Sequence, residues 1–107
     1  MATERQIGIA LTSWVKANYP DVMFMHIANE GHHRKVVEGV LPGASDYLLA
    51  EAMSFYCGLF LEIKTERGKL SDKQKKFGER IMEKGYHWEV TYGFEQSMDA
   101  IKRYMSL

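Results

Sequence analysis

Asp46, Glu62 and Lys64 are the residues of this sequence whose types and spacing can do chemistry together. Glu62 and Lys64 close the apolar run Cys57-Gly58-Leu59-Phe60-Leu61-Glu62-Ile63-Lys64, which reads as a strand. Alternate side chains of a strand share a face, so Glu62 and Lys64 point one way while Leu59, Leu61 and Ile63 point the other. A carboxylate at the end of such a run is costly to bury unless it is paired or coordinates a metal, and Lys64 alone can be the partner. Taken by themselves, these two residues read as a partly exposed ion pair. Asp46 shifts the balance. It follows Pro42-Gly43-Ala44-Ser45 at the start of the preceding strand, where a neighbouring strand can bring its carboxylate beside Glu62. Two carboxylates held together repel, and a divalent cation relieves that repulsion.

The elements that must position these residues are legible from periodicity and caps. Thr3-Glu4-Arg5-Gln6 has the form of a capping box, and Ile7, Leu11, Trp14 and Val15 follow at helical spacing. A first helix is expected over about 3 to 18. After Tyr19-Pro20-Asp21, the apolar run 22–28 reads as a strand. The stretch Asn29 to Gly43 is long for a connection in a compact domain, which suggests a functional loop, and it carries His32, His33, Arg34 and Lys35. Strands over 45–50 and 57–64 are joined by a turn around 51–54. Ser71-Asp72-Lys73-Gln74 is a second capping box, opening a helix whose core face is Phe77, Ile81 and Met82 and which Gly85 stops. The stretch 86–91 alternates as a strand, and Phe94, Met98, Ile101 and Tyr104 mark a last helix. The resulting order is αβββαβα: an α/β domain with a central mixed sheet flanked by helices.

Length and composition bound what this arrangement can be. A chain of 107 residues is expected to form a single domain, 1–107, with one core. Apolar residues make up 46% and charged residues 26%, as in an ordinary globular protein rather than a disordered or membrane chain. No apolar run reaches the roughly 18 residues needed to cross a bilayer and no signal peptide is evident, so a cytoplasmic protein with no membrane partner is expected. Cys57 is the single cysteine, which excludes an internal disulfide or a thiolate zinc site within one chain; its expected role is packing in a strand. The net charge is zero, yet residues 64 to 84 hold eight basic and four acidic side chains, leaving a net −4 on the remainder. A mixed, solvated helix explains this distribution; a surface for phosphates is the alternative.

Gly43-x-x-Asp46, then Glu62-x-Lys64, Gly68 and Gln74 in that order resemble the VRR-NUC (virus-type replication-repair nuclease) family, a branch of the PD-(D/E)XK nuclease superfamily. The resemblance runs from Glu4 to Gly85. One departure is Ser45, which stands where the superfamily pattern has proline; proline there would shape the backbone rather than supply a ligand. The resemblance implies a restriction-endonuclease-like core and a metal-dependent endonuclease that hydrolyses DNA phosphodiester bonds. It further implies that Asp46 and Glu62, with the backbone carbonyl of Ile63, hold Mg²⁺ or Mn²⁺ and that Lys64 orients the attacking water. Oxygen ligands alone favour a hard cation over zinc without choosing among them. Branched DNA such as four-way (Holliday) junctions is the implied substrate, in phage or prophage replication or repair within a bacterial or phage-infected cell.

Other residues carry two readings each. Glu4 shares a helix side with Gly8, Leu11 and Val15; it is either a further metal ligand or a first-turn carboxylate that favours the positive end of the helix dipole. Gln74 is either a catalytic helper or the capping-box partner of Ser71. His32 and His33 are exposed side chains or, with Arg34 and Lys35, phosphate contacts; Lys73, Lys75 and Lys76 are a solvated face or a DNA-binding one. His26 and His87 are expected in the core or at a sheet edge, and the methionines as packing. A noncatalytic DNA-binding module and a general duplex endonuclease are the rival functions. The intact Asp46, Glu62 and Lys64 speak against the first, and the short chain, with little room to read bases, against the second. One site per chain and two strands to sever lead to the expectation of a homodimer.

Overall fold

Thr3 and Ser71 each start a helix by the same reciprocal pair of hydrogen bonds. The Thr3 hydroxyl accepts from the Gln6 N–H at 3.1 Å and the Gln6 side chain accepts from the Thr3 N–H at 2.9 Å, opening α1 (Glu4–Asn18). Ser71 and Gln74 repeat the pattern at 3.1 and 2.9 Å to open α2 (Asp72–Glu83). The computed structural model describes residues 2–28 and 41–107, so the expected loop contacts His32, His33, Arg34 and Lys35 lie outside the described residues. The remaining elements are β1 (Phe24–His26), β2 (Tyr47–Leu49), β3 (Leu59–Lys64), β4 (His87–Tyr92) and α3 (Gly93–Met105), in the expected αβββαβα order. The first two strands are shorter than their apolar runs. Backbone pairing nonetheless runs past their ends, with the Ile27 N–H donating to the Asp46 carbonyl and the Ala50 N–H to the Met23 carbonyl.

The four strands form one mixed sheet in the order β1-β2-β3-β4, antiparallel at the first two pairings and parallel at β3–β4. A parallel pair needs a crossover, and α2 supplies it. β3 lies inside the sheet and is buried at every one of its six residues. Its odd-numbered side chains, Leu59, Leu61 and Ile63, join Ile7, Leu11 and Val15 of α1 and Ala100, Ile101 and Tyr104 of α3 in the larger core. On the opposite face Phe60 packs edge-on to Phe77 of α2 with ring centroids 5.3 Å apart, beside Ala44, Tyr86 and Trp88. Glu62 and Lys64 continue this second face, as the alternation requires.

Close packing under α2 depends on Gly78, where a Cβ would come within 2.3 Å of the Trp88 indole. Gly85, with φ +93°, ends the helix in the left-handed conformation expected of it. Cys57 departs from expectation: it is exposed, because burial along this strand begins one residue later at Gly58. Its N–H donates to the Gly85 carbonyl at 2.8 Å and ties the start of the strand to the end of α2. Among the described residues no helix is long and apolar enough to cross a membrane.

Candidate active site

Asp46 and Glu62 are brought together by strand register. Tyr47 pairs with Leu61 in the antiparallel β2–β3 ladder, and one further step sets Asp46 opposite Glu62. Asp46 Oδ2 accepts the Ile63 N–H at 2.9 Å, so a side chain continues the ladder where β2 ends. A strand residue turns its N–H and C=O to the same side, which places the Ile63 carbonyl on the Asp46 side as well.

Glu62 is 1% exposed, and its two oxygens have different surroundings. Oε2 accepts from Gln74 Nε2 at 3.2 Å and lies 3.5 Å from the Lys64 ammonium. Oε1 is buried and has no hydrogen-bond partner. Burial and the charge of Asp46 push the Glu62 carboxyl up to about 8, with Lys64 opposing the rise. A proton retained on Glu62 can be shared with Asp46, which favours the neutral form further.

Each of these side chains is positioned by a packing contact. Gly43 has φ +80°, and a Cβ there would fall 2.3 Å from the Lys73 carbonyl oxygen; the chain entering β2 thus lies directly on the first turn of α2. Ser45, fully buried, accepts from the Trp88 indole N–H at 2.9 Å. Proline at 45 has no hydroxyl to accept this bond, which gives the departure from the superfamily pattern a structural reason. A Cβ at Gly68 would sit 3.1 Å from Lys64 Cβ, so the turn after β3 covers the aliphatic stem of that lysine. Gln74 fills both of its expected roles at once: its oxygen closes the cap with the Ser71 N–H and its nitrogen holds Glu62.

The buried, unpartnered Oε1 beside a second carboxylate fits a divalent cation, which would neutralise the pair and give that oxygen a partner. Among the described residues no group of three or more His, Cys, Asp or Glu side chains can hold an ion. Glu4 is exposed at the start of α1 and is not brought to the pair as a third carboxylate. Gly8, on the helix side that Glu4 shares, admits Tyr47, whose Oη would overlap a Cβ there. His26 is exposed on the edge strand β1, and half-buried His87, on the other edge strand, lies 3.0 Å from Glu89.

Lys73, Lys75 and Lys76 are exposed on α2. Lys73 and Lys76 line a cleft together with Arg80 and Lys84, whereas Lys75 does not. Arg80 and Lys84 belong to the basic stretch 64–84 noted in the sequence but are not singled out there, and the Ser45–Trp88 bond is not foreseen at all. The helical spacing of the cations was a usable signal for the cleft; a bond spanning 43 residues left none.

No protein-family model matches the chain, and no curated protein does. Solved structures do. A "VRR_NUC domain protein" superposes with TM-score 0.83 at 23% identity, over 100% of this chain and 91% of that one. A second, titled "VRR_NUC domain", gives TM-score 0.61 at 23% identity, over 96% of this chain and 99% of its own. The four-stranded mixed sheet flanked by helices is therefore a fold that this chain shares with solved VRR_NUC domains.

Proposed function

We propose that this chain is a metal-dependent endonuclease that hydrolyses DNA phosphodiester bonds. The observation that carries the reading is Glu62: one oxygen is held by Gln74 and Lys64, the other is buried without a hydrogen-bond partner, and the charge of Asp46 acts on the same carboxyl. Structural ion pairs have no reason to leave a carboxylate oxygen unsatisfied in the interior. The fold shared with VRR_NUC domains supports the same reading.

Asp46 and Glu62, with the Ile63 carbonyl, would hold Mg²⁺ or Mn²⁺. A bound ion of this kind acidifies water and offsets negative charge at a phosphate. Gln74 fixes the Glu62 carboxylate so that Oε1 keeps its orientation. The Lys64 ammonium, on a stem that Gly68 covers, is a donor that can orient the attacking water and stabilise charge growing on the phosphate oxygens. Water attacks phosphorus directly, and a phosphorus–oxygen ester bond breaks without a covalent enzyme intermediate. A contribution from Glu4 would come from outside this cluster.

The preferred substrate in this reading is branched DNA, four-way junctions included, in phage or prophage replication or repair, and the working form is a cytoplasmic homodimer that presents two sites to two strands. Lys73, Lys75 and Lys76 contribute phosphate contacts, as do His32, His33, Arg34 and Lys35. The deciding experiment is cleavage of matched linear, flapped and four-way DNA in Mg²⁺, Mn²⁺ or EDTA. Cutting that needs the ion and is strongest on branched forms is expected; binding without cutting under any condition returns the chain to a noncatalytic module. Mixing wild-type chains with excess Asp46→Asn chains should accumulate nicked product if a dimer makes paired cuts.

A further inference from the structure

The cleft beside α2 has a volume of about 270 Å³ and a lining divided by chemistry. Lys73, Lys76, Arg80 and Lys84 supply cations at successive turns, spaced about 4.5 to 6 Å along the helix axis. Asp72, Glu79 and Glu83 of the same helix are exposed elsewhere on it, and among the described residues no carboxylate lines the cleft. The apolar part is built from Phe77 and Ile81 as floor and from Leu41 and Pro42 as wall. Leu41 is 53% exposed, a large apolar side chain left open next to a row of cations.

Position connects this cleft to the candidate active site at both of its sides. Lys73 precedes Gln74, which holds Glu62. Leu41 and Pro42 lead through Gly43, seated on the Lys73 backbone, to Asp46 four residues beyond Pro42. A strand whose phosphate sits at Asp46 and Glu62 can therefore continue along α2. A duplex would offer this cleft only phosphates, because its bases face inward. The apolar wall and floor call for the faces of unpaired bases, with the cations on the backbone between them.

We propose that the α2 cleft binds an unpaired stretch of the DNA strand adjoining the scissile phosphate, phosphates on Lys73, Lys76, Arg80 and Lys84 and bases against Leu41, Pro42, Phe77 and Ile81. This rests on the nuclease reading for its choice of nucleic acid, and it names the feature that marks a branched substrate for this chain: a single-stranded arm beside the cut.

The test is binding in EDTA, followed by fluorescence anisotropy, of three DNAs: a blunt duplex, the same duplex with a single-stranded tail, and the same duplex with an abasic tail of equal length. The wild-type chain should hold the base-bearing tail about tenfold more tightly than either of the others. Arg80→Ala/Lys84→Ala, at exposed positions that leave the core alone, should weaken tailed binding about fivefold while blunt binding moves less than about twofold. Leu41→Ser should shrink the preference for bases over abasic sites. Equal affinity for base-bearing and abasic tails, or a double variant that weakens blunt and tailed DNA alike, would overturn the proposal. Cleavage in Mg²⁺, compared between wild type and Glu62→Gln, is a separate readout. Tail preference without cleavage keeps the cleft and removes the nuclease; cleavage without tail preference does the reverse.

Discussion

Gln74 donates to Glu62 Oε2 at 3.2 Å while its own oxygen accepts the Ser71 N–H at 2.9 Å, so one amide both starts a helix and orients a buried carboxylate. The two functions can be separated by substitution. Glu at 74 keeps the capping box but loses the donor; Ala loses both. Gln74→Glu should keep the cap but depress cleavage, with a urea midpoint that falls more at pH 9 than at pH 6 because its carboxylate faces Glu62, whereas Gln74→Ala should cost on the order of 1 kcal/mol at both. Full activity in Gln74→Glu would make this residue a cap and nothing more.

The position of Glu62 sets a pH dependence. Its carboxyl titrates near 8 in the fold against an ordinary 4.5, so between these values the folded chain holds a proton that the unfolded chain has released. Stability from this group is complete below 4.5, declines as pH rises and is gone above about 8. Metal-free protein should therefore show a higher urea midpoint at pH 6 than at pH 9, and equal midpoints at the two values would remove this linkage. Cation binding needs the carboxylate, so Mg²⁺ should stabilise the fold more at pH 9 than at pH 6, and cleavage should climb toward pH 8 and then level.

Glu62→Gln and Asp46→Asn keep shape while removing one charge of the pair. Each should lower cleavage by on the order of a hundredfold or more and retain DNA binding. Glu62→Gln should in addition raise the stability of metal-free protein at pH 9, because the buried repulsion with Asp46 is gone. Calorimetry with Mg²⁺ should show the fold no longer responding to the ion. Normal cutting by either variant would remove both carboxylates from the reaction.

The Ser45–Trp88 bond predicts a structural effect that reaches the chemistry. Ser45→Ala leaves the indole N–H without its acceptor at a cost of about 1 to 3 kcal/mol. Trp88→Phe removes the donor and also part of the ring that packs against Gly78, so it should cost at least as much. Both should loosen the segment entering β2 and lower the apparent affinity for Mg²⁺, read from its concentration dependence of cleavage. An unaltered Mg²⁺ dependence in both would confine the bond to stability.

Features governed by local periodicity could be read before the fold was known. The facing of Glu62 and Lys64 away from Leu61 and Ile63 follows from a period of two, and both helix starts follow from four-residue boxes. Asp46 beside Glu62 needed only the assumption that consecutive strands pair. What escaped was set by tertiary contact. The Ser45–Trp88 bond, the seat of Gly43 on Lys73 and the wall that Leu41 and Pro42 give the α2 cleft join segments far apart in the chain. Cys57 was misplaced because its apolar run continues past the point where the sheet's cover ends. For Gln74 the two readings competed on paper, whereas a planar amide with a donor at one end and an acceptor at the other satisfies both.

The alternation along β3 has an evolutionary consequence. Leu59, Leu61 and Ile63 answer to α1 and α3, while Phe60, Glu62 and Lys64 answer to α2 and the carboxylate site. Selection can therefore act on neighbouring codons for different ends: changes at the odd positions, matched by changes in the two covering helices, tune thermal tolerance, and the even positions stay committed to α2 and the carboxylate pair. A lineage moving to a hotter or colder setting can rebuild one side of this strand and inherit the other intact.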